Sequence, residues 1–209
     1  MNKLFIIGLP RTGTTSISVA LLEHEFMVAH TAFTKHAFEL ADVISDAPCF
    51  SDYKELDALF PDSKFVYLDR DLDKWIPSAQ MLLKKMEARL DPVTGVFSPV
   101  LKRSFNEVFA LTTTDDPHTP EHLEACYRKH QNEVLEYFSG RNDFIQLNVS
   151  HENSLPTLLD FLALPVKDTT QFPHLNIGRH VASWKEFKHP NKVNANSAGL
   201  ERRKFFDYK

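Results

Sequence analysis

The apolar run Leu4-Phe5-Ile6-Ile7 leads directly into "GLPRTGTT", Gly8 to Thr15, and then into residues of helical pattern. A buried strand that must turn at once into a helix is open to few architectures. Gly8 and Gly13 stand five positions apart and allow the tight backbone of such a turn, with loop amides pointing inward. The helix start near Thr14 adds a partial positive charge, so the turn forms a cradle for an anion such as a phosphate group. Nucleotide hydrolases built on this frame carry a lysine after the second glycine. Here that position is Thr14, and the loop holds Arg11, a planar donor that keeps its charge. Thr12, Thr14 and Thr15 supply hydroxyls, and Thr14 and Thr15 are placed to cap the helix or to donate to phosphate oxygens. A glycine turn without a ligand is the plain alternative. The chain has only six glycines, and two of them sit in this loop.

The rest of the pattern alternates. Lys3–Ile7, Met27–Ala29, Val43–Ser45, Lys64–Leu68 and Asp143–Leu147 read as strands. Helices are expected over Thr14 to about Glu25, Tyr53–Phe60, Asp73 to about Leu90, Pro120–Phe138 and Leu155–Leu162. This order predicts an α/β fold, a parallel β-sheet flanked by helices on both faces. The stretch of about 81–138 reads as a helical insertion over the sheet edge. The tail after Pro165 has little periodicity and ends in the basic run Arg202, Arg203, Lys204. With 209 residues, 43% of them hydrophobic, the expected organisation is one domain over residues 1–209.

A net charge of −4 gives no general attraction to nucleic acid or to an anionic membrane, so a polyanionic ligand needs a local basic cluster. Cys49 and Cys126 form no CxxC pair, which fits a reducing compartment. "LFII" is too short for a signal-peptide core, and no stretch approaches the length of a membrane span. The expected setting is cytoplasmic, with no nucleic-acid partner and no membrane span.

A second anchor lies in "KFVYLDRDLDKWIPS", Lys64 to Ser78. Arg70 follows the carboxyl end of a strand, the ligand-facing edge of a parallel sheet. Ser78 stands eight residues later, in the first turns of the next helix, where both can converge on a further phosphate. The alternative is an ion pair of Arg70 with Asp71 or Asp73, and a Ser78 that faces solvent. Trp75 reads as a packing residue. A phosphate loop with an internal arginine, followed by Arg-x7-Ser after a later strand, resembles the sulfotransferases that use 3′-phosphoadenosine 5′-phosphosulfate (PAPS). "YRKHQNEVLEYF" (Tyr127–Phe138) and "FPHLN" (Phe172–Asn176) are similar to segments of bacterial members. The resemblance implies a P-loop NTPase-like sulfotransferase fold, with PAPS as donor, PAP as desulfated product and no metal required. It places Arg11, Thr12, Gly13, Thr14 and Thr15 on the 5′-phosphosulfate, and Arg70 and Ser78 on the 3′-phosphate. Many members carry a proline where Leu72 stands and an uncharged residue where Asp69 stands.

Sulfuryl transfer also needs a base for the acceptor proton. The family resemblance points to Asp46, in "VISDAP", two residues before Pro48; an ordinary aspartate is a weak base, and a turn cap is its plain alternative. His30 and His36 have better intrinsic pKa values. His118 and His122 have a metal-like spacing, which Pro120 between them spoils. Met81, Met86, Phe97, Phe105 and Phe109 read as core, or else as a lid over a small-molecule or glycan acceptor. The basic tail is either a closure over the 3′-phosphate or a solvated terminus. Two other readings stay open. One is a P-loop nucleotide or small-molecule kinase with Asp69 and Thr15 as magnesium ligands, and the other is a non-catalytic nucleotide-binding module.

Overall fold

The computed structural model describes residues 2–165, 171–172, 176–177, 180–181, 184–206 and 208–209. Five strands form one parallel sheet: β1 (Leu4–Ile6), β2 (Val28–Ala29), β3 (Val43–Ser45), β4 (Lys64–Leu68) and β5 (Phe144–Leu147), in the order β2-β3-β1-β4-β5. Among the described residues the helices are α1 (Thr14–Glu23), α2 (Lys35–Leu40), α3 (Tyr53–Leu59), α4 (Leu72–Leu90), α5 (Pro99–Phe109), α6 (Pro120–Tyr137) and α7 (Ser154–Phe161). A short antiparallel pair, β6 (Asn176–Ile177) with β7 (His180–Val181), follows. The fold is α/β, a parallel sheet between helices, as expected. Residues 173–175 of "FPHLN" lie outside the described residues.

Strand alternation builds a core on each face of the sheet. Leu4 and Ile6 of β1 pack with Ile17 and Leu21 of α1 and Leu158 of α7. Phe5 and Ile7 face the other way, against Phe38 of α2, Leu56 of α3, Val134 of α6 and Phe138, which caps the end of α6. These side chains are all but fully buried, and each contributes about 1.5–3 kcal/mol through area removed from water. The register is level: Ile6 pairs with Ser45 on one side and Val66 on the other, and Ala29 pairs with Ile44. The residues that follow β1, β2, β3 and β4 therefore emerge side by side along one edge of the sheet.

Three features go beyond the sequence reading. Helix α2 was not anticipated; Thr34 caps it, accepting from the Ala37 amide at 3.2 Å, and Ala37 and Phe38 are its buried anchors. The helical insertion reaches the strand ends and one face of the sheet. Helix α6 covers the face of β4 through Val134 and Phe138, and α5 packs with Leu9, Phe33, Ala47 and Phe50 above the strand ends. The aperiodic tail is pinned by backbone bonds, from Val28 N to Asn191 O and from Val193 N to Val28 O, both 2.9 Å, which cover the open edge of β2.

Two buried polar groups tie the insertion to the sheet. Asp52 is fully buried and accepts two bonds from Arg103 of α5, at 2.8 and 2.6 Å, and one from the Tyr208 hydroxyl at 2.7 Å. Burial alone would raise its carboxyl, but the hydrogen bonds from Arg103, Ser51 and Tyr208 hold it below the usual carboxylate range. His130 of α6 is 5% exposed and bonds the Phe50 carbonyl through Nε2 at 2.6 Å. Burial pulls its pKa down to about 4, although that bond opposes the shift. An unfolded histidine titrates near 6.5, so the folded chain refuses a proton that the unfolded chain takes up. The stability His130 provides is full above that value and is lost as pH falls toward about 4. His130→Gln, which keeps a donor for Phe50, is expected to reduce the slope of stability against pH in this window by about 1.4 kcal/mol per pH unit, read from urea melts of both proteins.

Candidate active site

The loop after β1 is fixed from several sides. A Cβ on Gly8 would stand 2.5 Å from Leu68 Cβ, so only glycine lets β1 pass β4 this closely. The Thr12 hydroxyl and amide both donate to the Leu9 carbonyl, at 2.7 and 3.2 Å, and close the loop on itself. The buried Trp75 of α4 donates Nε1–H to the Pro10 carbonyl at 2.9 Å, a packing role with one polar handle. Arg11 takes φ 75° and Gly13 φ 108°, both in the left-handed region. Gly13 is the N-cap of α1, and no side chain caps that helix. Thr14 and Thr15 thus do not serve as caps, and the amides of the first turn have no intrahelical acceptors. The Thr14 hydroxyl instead donates to Asp46 Oδ2 at 3.5 Å, and that of Thr15 lies 3.4 Å from His30 Nε2.

The two expected anchors meet. Arg11 Nε donates to Ser78 Oγ at 2.8 Å, and Arg70 Nη1 donates to the Arg11 carbonyl at 2.5 Å. Asp71 pairs with Lys74 at 2.6 Å and leaves Arg70 to the loop. Arg103, Arg128 and Arg141 each hold a carboxylate within 2.8 Å. No carboxylate among the described residues lies at ion-pair distance from Arg11 or Arg70. Burial and the neighbouring Arg70 charge pull the Arg11 pKa below its usual range, with Asp46 opposing them. Two half-buried guanidiniums side by side form a site whose charge an anion would balance.

Asp69, the acid beside this corner, is fully engaged. It accepts from the Tyr127 hydroxyl, from the Gln131 and Gln146 amides at 3.2 and 3.0 Å, and from the Arg70 amide at 2.8 Å. The Tyr127 hydroxyl also accepts from the Arg70 amide at 2.8 Å. Asp69 therefore ties α6 and β5 to the end of β4 and fixes the backbone that carries Arg70. Tyr127 belongs to a segment singled out in the sequence, but its bond to Asp69 crosses 58 residues and no local pattern marks it.

Asp46 follows β3 with φ 56°, a strained conformation for a residue with a side chain. Burial pushes its pKa up to about 6, opposed by the Ala47 amide, the Thr14 hydroxyl and Arg11. His30 follows β2, with Nε2 3.7 Å from Asp46 Oδ2 and Nδ1 2.9 Å from Ser45 Oγ. Ser18 donates to the Thr14 carbonyl at 2.7 Å, so the single Ser45 proton goes to Ser18 or to the His30 carbonyl, at 2.8 and 3.1 Å. His30 Nδ1 then donates to Ser45, and Nε2 presents its lone pair toward Thr15 and Asp46. Burial and Lys192 pull the His30 pKa down to about 4, so the ring is neutral near pH 7.

Other sequence candidates fall elsewhere. His36 pairs with Glu39 at 3.0 Å and packs under Gly199. The basic tail docks by backbone on α2, from Lys35 N to Lys204 O at 3.3 Å, and Lys204 pairs with Glu201 at 3.6 Å. His118 faces Glu87 at 3.3 Å, and His122 bonds the Phe109 carbonyl at 2.9 Å. Among the described residues no group of three or more His, Cys, Asp or Glu is placed to hold a metal ion. Phe105 and Phe109 are core, Met81 is exposed, and Met86 and Phe97 are partly buried. Trp184, whose ring lies 5.2 Å from that of His30, was missed; a lone tryptophan in an aperiodic tail carries no positional signal. No helix of the described residues is long and apolar enough to cross a membrane.

A model of the sulfotransferase domain matches residues 28–181. That span contains His30, Asp46, Arg70 and Ser78 and begins after the Gly8–Thr15 loop. No curated protein matches the chain significantly. Asp69→Asn turns one acceptor into a donor amid four donors. It is expected to cost ~1–3 kcal/mol in a urea melt, with magnesium leaving the melting temperature of the unaltered protein unchanged. A metal-ligand role would instead give magnesium-dependent stability that the variant lacks.

Proposed function

The chain belongs to the sulfotransferase domain family, and on that premise we propose that it transfers a sulfuryl group from PAPS to a hydroxyl or amine. The observation that carries the donor assignment is the contact of Arg11 with Ser78 and of Arg70 with the Arg11 backbone. It joins the loop after β1 and the end of β4 into one corner that holds two guanidiniums with no carboxylate at ion-pair distance among the described residues. In this reading Arg11, Thr15 and the first-turn amides of α1 hold the 5′-phosphosulfate, with Thr12, Gly13 and Thr14 giving the loop its shape. Arg70 and Ser78 hold the 3′-phosphate. When bound, PAPS supplies the sulfuryl group: the acceptor oxygen or nitrogen bonds to sulfur, the sulfur–oxygen bond to the 5′-phosphate breaks, and PAP leaves. Negative charge grows on the oxygen that stays with PAP, and Arg11 and the helix amides are preorganised to stabilise it. This work needs no kinase-type lysine.

The acceptor proton goes to Asp46. Its raised pKa makes it a stronger base than an ordinary carboxylate while leaving it ionised at pH 7. Once protonated it faces the His30 Nε2 lone pair, which can share that proton. His30 thereby supports Asp46 as its partner. The setting is proposed as cytoplasmic, and residues 1–209 as one domain.

Calorimetry with PAP in the absence of magnesium tests the donor site. Arg70→Ala is expected to weaken PAP by about 1.5–3 kcal/mol and to leave adenosine 5′-phosphosulfate, which lacks the 3′-phosphate, nearly unaffected. Equal losses for both ligands would remove Arg70 from the 3′ position.

For the base, turnover should show an acidic limb with a midpoint at about 6, since Asp46 must be ionised to accept a proton. Asp46→Asn is expected to lower turnover by roughly 10²–10⁴ and to leave PAP affinity unchanged. The stability effect has the opposite sign. A carboxyl with a raised folded pKa contributes stability below 3.8 that is lost as pH rises through about 6. The variant should therefore melt higher than the unaltered protein at pH 7 to 8. A fall in turnover caused by unfolding would come with a lower melting temperature.

A further inference from the structure

A cleft of about 840 Å³ opens beside His30, between the segment that leads into α5 and the tail. That volume is within the range of small-molecule sites. Thr31 of its lining is bonded in sequence to His30, and the ring of Trp184, also in the lining, lies tilted against the His30 ring at 5.2 Å. The cleft thus borders the His30 ring, with Trp184 between them. Its apolar wall comes from Phe33, Phe97, Leu101 and Trp184. Its charge comes from Lys185 and Lys192, and the described lining residues include no Asp or Glu. Lys192 is built into the wall: its ammonium lies 4.3 Å from the centre of the Trp184 ring and donates to the Trp184 and Phe187 carbonyls at 2.5 and 2.6 Å. Three N–H donors with two spent leave one for a ligand. The same charge acts on His30, where it helps to keep the imidazole neutral.

We propose that this cleft receives the acceptor, and that the acceptor is a small aromatic alcohol or phenol that also carries an anionic group such as a carboxylate. The aromatic wall takes a planar apolar body, and the two ammonium groups select the sign of its charge. A cation would meet two like charges with no acid among the described lining residues to offset them. The hydroxyl is the nucleophile: its oxygen bonds to sulfur, its proton passes to Asp46, and PAP carries away the electrons of the broken sulfur–oxygen bond. This inference rests on the sulfotransferase reading for the reaction, but not for the binding preference.

Three ring-matched probes separate the two: 4-hydroxyphenylacetate, 4-hydroxyphenylacetamide and tyramine, titrated calorimetrically into the protein alone and into the PAP-loaded protein. The anion is expected to bind most tightly and the cation least, with about fivefold or more between them at low salt. Lys185→Glu, a change at an exposed rim position, should erase that gap without altering the PAP affinity or the urea midpoint. Trp184→Leu should weaken all three probes alike. Equal affinities, a preference for tyramine, binding of none of the three, or a Lys185→Glu variant that keeps the gap would each overturn the proposal. If PAP fails to bind while the charge order holds, the donor reading falls and the cleft stands. If PAP binds and the order is absent, the reverse is true.

Discussion

The parallel pairing of β1 between β3 and β4 is the constraint on which the rest depends. Three residues of β1 are bonded on both sides, and Gly8 beyond them has room for no side chain against Leu68. Because the strands are paired in register, the backbone needs only one or two residues beyond each strand to deliver His30, Asp46, the loop and Arg70 to a common edge. Helix α1 leaves β1 toward one face, and α3 after β3 packs on the other. Such a divergence opens a crevice at the carboxyl ends of the strands. The site is a product of sheet register before it is a product of any side chain.

Within that crevice the electrostatics are set by burial acting on groups of opposite sign. Arg11 and Arg70 repel each other, and the loop holds them together through Ser78 and the Arg11 carbonyl. Removal from water disfavours ionised Asp46 and protonated His30 alike, so one pKa rises and the other falls until the carboxyl is the more basic of the two. The backbone strain at Arg11 and Asp46 falls on the two residues that carry charge into the centre of the site. Elsewhere the charged groups are conventionally paired, as at Asp52 with Arg103 and at Asp57 with Arg141.

What could be read in the sequence follows from how local the signal is. The strands β3 and β4, the glycine loop and α1 were legible because periodicity and glycine spacing act over a few residues. Arg70 and Ser78 were singled out by a spacing of one strand-to-helix turn, and each bonds to Arg11. Helix α2 was not, because six residues with two buried anchors make little pattern. The helices of the insertion were legible, but the contacts of Val134 and Phe138 with β4 were not, since they leave no periodic trace that names their partner. The engagement of Asp69 with Tyr127, Gln131 and Gln146, and the approach of Trp184 to His30, are long-range side-chain events that only the folded chain displays.

The backbone bonds that pin residues 191–193 along β2 have a consequence for how such a molecule can diverge. The groups proposed for the donor come from the strand ends and the first turns after them, within residues 8–78. The walls of the neighbouring cleft come from residues 31–33, 96–101, 184–196 and Phe205, and several lining residues, Lys185, Asn194 and Asn196 among them, are exposed. Those exposed side chains can be exchanged without disturbing the register that builds the donor corner, whereas Phe33, Leu101 and Val193 belong to the core. One inherited scaffold can in that way acquire new acceptor specificities by drift in its tail, at little cost to the chemistry it already performs.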